Sequence, residues 1–162
     1  MKIRLLISLV LIAFCSLSAL AQQKFSANAI LEVRYDNQMV RSEMYSYIAR
    51  ELRSLGDVAM VTKKEPGTFT LSVMMVPTKM GDQLAGYAVS VTITRFMRCN
   101  TMYKNPDNTI MVASYDNWDN SFIFVGGPDD LKSIGQKIVA AFDSNSIEPQ
   151  RDVFKLSHPK KT

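Results

Sequence analysis

Apolar residues fall at every second position over Ala29, Leu31, Val33 and Tyr35, with Ile30, Glu32 and Arg34 between them. A period of two predicts a half-buried strand. Asp36-Asn37 follows as turn or cap material. From about Met39 the period changes. Met44, Ile48, Leu52 and Leu55 recur at spacings of four, four and three, one stripe on a helix. Arg41, Glu43, Arg50, Glu51 and Arg53 fall largely off that stripe. Gly56 is placed to end the helix in a left-handed cap. A short strand, Val58-Ala-Met-Val61, and a loop, Lys63-Lys-Glu-Pro-Gly67, come next.

The two strongest alternations follow. Phe69, Leu71, Val73 and Met75 alternate with Thr68, Thr70, Ser72 and Met74. Tyr87, Val89, Val91 and Ile93 alternate with Ala88, Ser90, Thr92 and Thr94. A loop over Pro77 to Gln83 joins them, so they predict an antiparallel pair. The face carrying Thr68, Thr70, Ser72, Ser90, Thr92 and Thr94 is expected to look outward. Asn105-Pro-Asp-Asn108 is a turn. Thr109 to Ser114 and Phe122 to Val125 are expected strands, with a loop at Tyr115-Asp-Asn-Trp-Asp-Asn120 between them. Gly126-Gly-Pro-Asp-Asp130 opens a second helix, where proline and acidic residues suit a first turn. Leu131, Ile134, Ile138 and Phe142 form its stripe, and it is expected to end near Asp143 to Asn145 ahead of Pro149. The order predicts an α+β fold: one mostly antiparallel sheet of about five strands, with two helices packed on one face. Leu52, Val73, Val91 and Ile138 are the expected centre of the core.

The N-terminus changes the setting. Met1-Lys-Ile-Arg4 is basic, Leu5 to Leu17 is mostly apolar, and Ala19-Leu-Ala21 carries small residues where a signal peptidase cuts. That is the pattern of a cleaved secretory signal. The apolar run falls short of the roughly 20 residues of a bilayer span. Residues 1–21 are thus read as a signal, 22–148 as one α+β domain and 149–162 as a flexible basic tail. Cys15 follows Ile12-Ala13-Phe14, a poor context for lipid attachment. The expected location is periplasmic or extracellular, with no transmembrane segment in the mature chain. Loss of Lys2 and Arg4 takes the basic residues from 19 to 17 against 15 acidic ones. That small excess argues for neither nucleic acid nor anionic lipid.

The chemistry is sparse. His158 is the only histidine, and it lies in the tail with Lys155, Lys160 and Lys161. The commonest general base and metal ligand are therefore missing from the body. Catalytic, cofactor-binding and metal residues are all read as none. Cys99 is the one cysteine left after the signal. With Arg95 and Arg98 before it, it is a candidate reactive thiol or a small strand residue. Asp116, Asn117, Asp119 and Asn120 offer oxygens, but no glycine and closing glutamate complete a calcium loop. Tyr115, Asp116, Trp118 and Asp119 are the candidate recognition residues. Trp118 reads either as an exposed recognition aromatic or, preferably on burial grounds, as an anchor to the core. Gly126-Gly127 precedes a helix without a P-loop lysine pattern.

The helix at Met44 to Leu55, the strand Asp57-Val-Ala-Met-Val61 and the strand opening Phe69-Thr-Leu-Ser-Val73 resemble small bacterial envelope domains. These are the N-terminal domain of TolB and the curli-secretion and penicillin-binding-protein-activator lipoproteins. The resemblance implies a docking or assembly domain without a catalytic role. The reading is an exported, non-enzymatic binding or assembly protein whose partner is an envelope protein, with no cofactor. A small carboxylate-dependent hydrolase using residues near Asp116 to Asp130, or a carrier of an apolar ligand, are the alternatives.

Overall fold

The computed structural model describes residues 24–104 and 110–159, and for 99–104 and 110–113 the backbone alone. Strand β1 (Ala27–Arg34) leads into helix α1 (Gln38–Ser54) and strand β2 (Val58–Met60). The alternation read from Ala29 to Tyr35 holds, with Ala29 and Leu31 buried. Asn37 caps α1: its side-chain oxygen accepts from the Met39 and Val40 amides at 3.0 and 3.2 Å. Two orphan donors of the first turn are thereby satisfied. Gly56, at φ 73°, ends the helix in the left-handed region.

Strands β3 (Phe69–Met80), β4 (Gln83–Lys104) and β5 (Ile110–Gly126) form an antiparallel meander. β1 runs parallel to both β2 and β3, giving the order β2-β1-β3-β4-β5. Helix α2 (Leu131–Phe142), a π-turn (Asp143–Ile147) and helix α3 (Glu148–Ser157) complete the chain. Helices α1 and α2 cover one face of the sheet. Leu52, Val73, Val91 and Ile138 are all at most 1% exposed there, as the stripes predict. Each such fully buried aliphatic contributes about 1.5–3 kcal/mol relative to exposure. The helices approach closely at Gly135, where an added Cβ would lie 3.1 Å from the Tyr47 Cβ.

Four expectations need correction. The loop at Pro77 to Gln83 shrinks to Gly81-Asp82, because β3 and β4 stay paired through Met80↔Gln83 and Gly81 takes a φ of 63°. Pro77 is tolerated because the β1–β3 ladder stops at Arg34↔Met74, leaving that edge of β3 free. Tyr115 to Asn120 is not a loop. It belongs to one 17-residue strand, and the surplus residue is absorbed as a bulge at Asp119, between the pairs Ile93↔Asn120 and Thr94↔Trp118.

Thr68 and Thr70 are buried rather than turned to solvent. The 61–67 loop folds back beside them: the Glu65 amide donates to Thr68 Oγ1 at 3.1 Å, and the Gly67 amide to the Phe96 carbonyl at 2.7 Å. The segment read as a basic tail from residue 149 is helical over Glu148–Ser157. Pro149 falls in the first turn of α3, where its missing N–H costs no bond.

Candidate functional site

Among the described residues, the face of the sheet away from the helices is open except at the end beside the 61–67 loop, and the register orders its side chains into rows. Val76, Ala88 and Val125 lie side by side on β3, β4 and β5, and so do Met74, Ser90 and Ile123. The next rows are Ser72, Thr92 and Ser121, then Thr70, Thr94 and Trp118. One end of this face is therefore apolar and the other carries hydroxyls. Ile123 is 77% exposed, Val125 70% and Trp118 67%. Met74 and Val76 are each about half exposed. Contiguous apolar side chains in open solvent are a feature that interaction surfaces use.

Trp118 sits on this face because the bulge at Asp119 sets it opposite Thr94, where no helix lies. The core-anchor reading of Trp118 is thereby overturned. Asp116 shares the face, opposite Phe96, and Lys64 donates to its Oδ2 at 2.6 Å. The Lys64 ammonium also lies 5.5 Å from the Phe96 ring centre. Tyr115 and Asn117 alternate onto the other face, opposite Met97 and Arg95. Asp119 accepts a hydrogen bond from the Ser146 hydroxyl in the π-turn. The four candidate recognition residues thus do not converge; Trp118 and Asp116 alone share the open face.

Asp130, read as a helix-start residue, does not cap α2 with its side chain. Its Oδ2 accepts from the Gly127 amide at 2.8 Å instead, closing the turn ahead of the helix. That amide is taken, so Gly126-Gly127 does not offer it to an anion. Cys99 lies on β4, and its side chain is outside the described residues. Cys15 and the signal are outside them as well. His158 stacks on Phe154 with ring centres 4.3 Å apart. Among the described residues, no three histidine, cysteine or carboxylate side chains gather as a metal site. No helix among them is long and apolar enough to cross a membrane.

A polar network that sequence reading missed ties α3 to the sheet. Arg151 forms a forked pair with Asp57, at 2.6 and 2.9 Å, and its Nη2 lies 2.7 Å from Asp143 Oδ1. The hydrogen bonds from Arg151 hold the Asp57 carboxyl below the usual carboxylate range, against a smaller opposing push from burial. Those partners in turn raise the Arg151 guanidinium further above its ordinary value. Three positions this far apart in sequence carry no spacing signal.

The apolar rows were missed for a different reason. Phe122-Ile-Phe-Val125 is apolar at every position, so it does not say which face is covered. Met74 was visible, beside the smaller Ala88, among the otherwise hydroxyl-bearing positions of that face.

No family model matches the chain, and neither does any curated protein. Solved structures do resemble it. A DUF330 protein of Xanthomonas campestris is 9% identical, over 80% of this chain and 90% of its own, at a TM-score of 0.48. PelC of Paraburkholderia phytofirmans, described as a dodecamer, is 14% identical, over 75% of this chain and 86% of its own, at 0.40. A minor lipoprotein of Acinetobacter baumannii is 10% identical, over 76% of this chain and 95% of its own, at 0.32. These are bacterial envelope-type proteins, but not members of the TolB, curli-secretion or activator families that the sequence resembles. Likeness at this level is one of fold outline and carries no argument about activity.

Proposed function

We propose that this is an exported, non-enzymatic binding or assembly protein of the bacterial envelope, and that its open sheet face docks an envelope protein. The observation that carries the reading is the pair of apolar rows, Val76–Ala88–Val125 and Met74–Ser90–Ile123, exposed on a folded domain. The occupant is an apolar protein surface, because aliphatic side chains with few charges among them match that chemistry. Trp118 and Asp116 lie further along the same face, beyond the Ser72–Thr92–Ser121 row, and would add an aromatic and a charged contact only to a partner that spans that hydroxyl row. The N-terminal pattern supports export, with residues 1–21 as the signal and Gln22 as the mature start. The resemblance of the helix–strand–strand segment to TolB-like docking domains is consistent with this reading.

The two other readings lack such an observation. The carboxylates required of a hydrolase are held apart: Asp116 by Lys64, Asp119 by Ser146 and Asp130 by the Gly127 amide. A carrier needs room between sheet and helices, where Phe69, Met44, Ile48 and Phe142 already fill the space.

The test is a photo-crosslinking amino acid at position 123 in the native envelope, with the same probe on the exposed Arg53 position as control. A discrete adduct from 123 alone, lost when Val125→Lys and Met74→Lys are added, is the expected result. Equal labelling from both positions would sink the docking reading. Sequencing of the exported protein checks the leader separately and should begin at Gln22.

A further inference from the structure

A second site lies on the opposite side of the sheet, and its argument is independent of the docking face. The β1–β3 ladder begins at Ala29↔Phe69. Where the strands part before that pair, a cleft of about 190 Å³ opens. Phe25 and Phe69 line it with Pro66; Ser26, Asn28 and Gln150 add polar groups, and Arg95 also lines it. Arg95 is held in place by Phe69, its guanidinium carbon 5.3 Å from the ring centre.

Two facts mark Arg95 as incomplete. Its Nε is buried without a hydrogen-bond partner. It also appears in no ion pair among the described residues, while the neighbouring cation Arg151 is held by Asp57 and Asp143. A buried donor left without an acceptor costs about 1–3 kcal/mol. A planar anion on the part of the guanidinium that lines the cleft would give this cation the counter-charge it lacks.

We propose that this cleft binds an organic monocarboxylate with a small apolar body, its carboxylate on Arg95 and its body against Phe25 and Pro66. Arg95, with no ion-pair partner among the described residues, suits one negative charge better than a phosphate dianion. Phe25 and Pro66 give one apolar side for a small hydrocarbon or aromatic body, and Ser26, Asn28 and Gln150 make the rest of the wall polar. Ser26, Asn28 and Gln150 can bond the carboxylate or an adjoining amide. The same chemistry occurs in a free organic acid and in the last residue of a polypeptide.

The experiment titrates the full mature protein by calorimetry. The probes are benzoate, its neutral isostere benzamide, inorganic phosphate, and an acetylated tripeptide ending in phenylalanine as free acid or as amide. Benzoate should bind and benzamide should not. Phosphate should bind at least about tenfold more weakly, the size of one charged hydrogen bond. Arg95→Gln should weaken benzoate about tenfold or more. Gln150→Glu, which sets a carboxylate on the cleft wall of a surface helix, should do the same with an unchanged melt. It decides the matter if Arg95→Gln does not fold.

Tighter binding of the free-acid tripeptide than of benzoate, with no binding of its amide, would identify a chain terminus as the source. Benzoate alone would identify a free acid. Both outcomes support the site. Absence of binding by both carboxylates, equal binding of benzamide, phosphate binding as tightly as benzoate, or affinity unchanged by Gln150→Glu would overturn it.

Discussion

Val91 and Ile123 sit on adjacent strands and differ by one methylene, yet one is sealed and the other is 77% exposed. Val91 faces the helices; Ile123 faces away from them. The two faces of the sheet are similar in the hydrophobicity of their best positions and opposite in what covers them. On the covered face, aliphatic side chains were selected by packing, and their cost of replacement is paid in stability. On the open face the same chemistry buries much less within the chain, which is the ground for proposing that face as a docking surface.

The largest effect expected from breaking this comparison is on the covered face. Val91→Asp or Ile138→Asp should each lose more than about 4 kcal/mol and abolish the cooperative melt, because the buried charge has no partner. A normal melt for both would show that the strand and helix phases are wrong. Next is the polar tie at the edge of that face. Arg151→Ala should cost about 1–3 kcal/mol, since it leaves two partly buried carboxylates without their cation.

The pH dependence of that tie has a definite sign. The folded Asp57 carboxyl is depressed below its unfolded value of about 4, so its contribution is present above pH 4 and is lost as the pH falls through the folded value. Asp57→Asn should therefore flatten the acid limb of stability measured by denaturant titration between about pH 4 and 2. An unchanged acid limb would dismiss Asp57 as a contributor.

The open face should behave oppositely. Ile123→Lys and Val125→Lys should each shift stability by no more than about 0.5 kcal/mol while removing partner capture. Destabilisation as large as that of the covered-face variants would mean the patch is part of the fold. The smallest effect is expected for Cys99→Ser. It should leave the melt and partner capture unchanged and at most remove a disulfide-linked dimer on a non-reducing gel.

Much of the covered face was legible because it is written in period. The alternations of β1, β3 and β4 and the stripes of α1 and α2 each name the buried side directly. The α+β class followed from their order. β5 was legible only in part. Asp116, Asn117, Asp119 and Asn120 are turn formers by local preference, and pairing with β4 overrode them at the cost of a single bulge at Asp119. The two threonines at the end of the open face were misread because the 61–67 loop covers them, and a loop's destination leaves no periodic trace. The candidate site suffered most. Trp118 was singled out, but its exposure depended on that bulge. Ile123 and Val125 were hidden in an unbroken apolar run. Arg95 and the Arg151 network depend on contacts between distant segments.

The π-turn at Asp143–Ile147 sets the angular phase of everything after it. A residue removed from that turn would rotate α3 by about 100° relative to α2. Arg151 would then swing off Asp57, and Gln150 would leave the cleft wall. The widened turn therefore works as an indexing step, one that keeps the last helix keyed to the first edge of the sheet even though 94 positions separate Arg151 from Asp57.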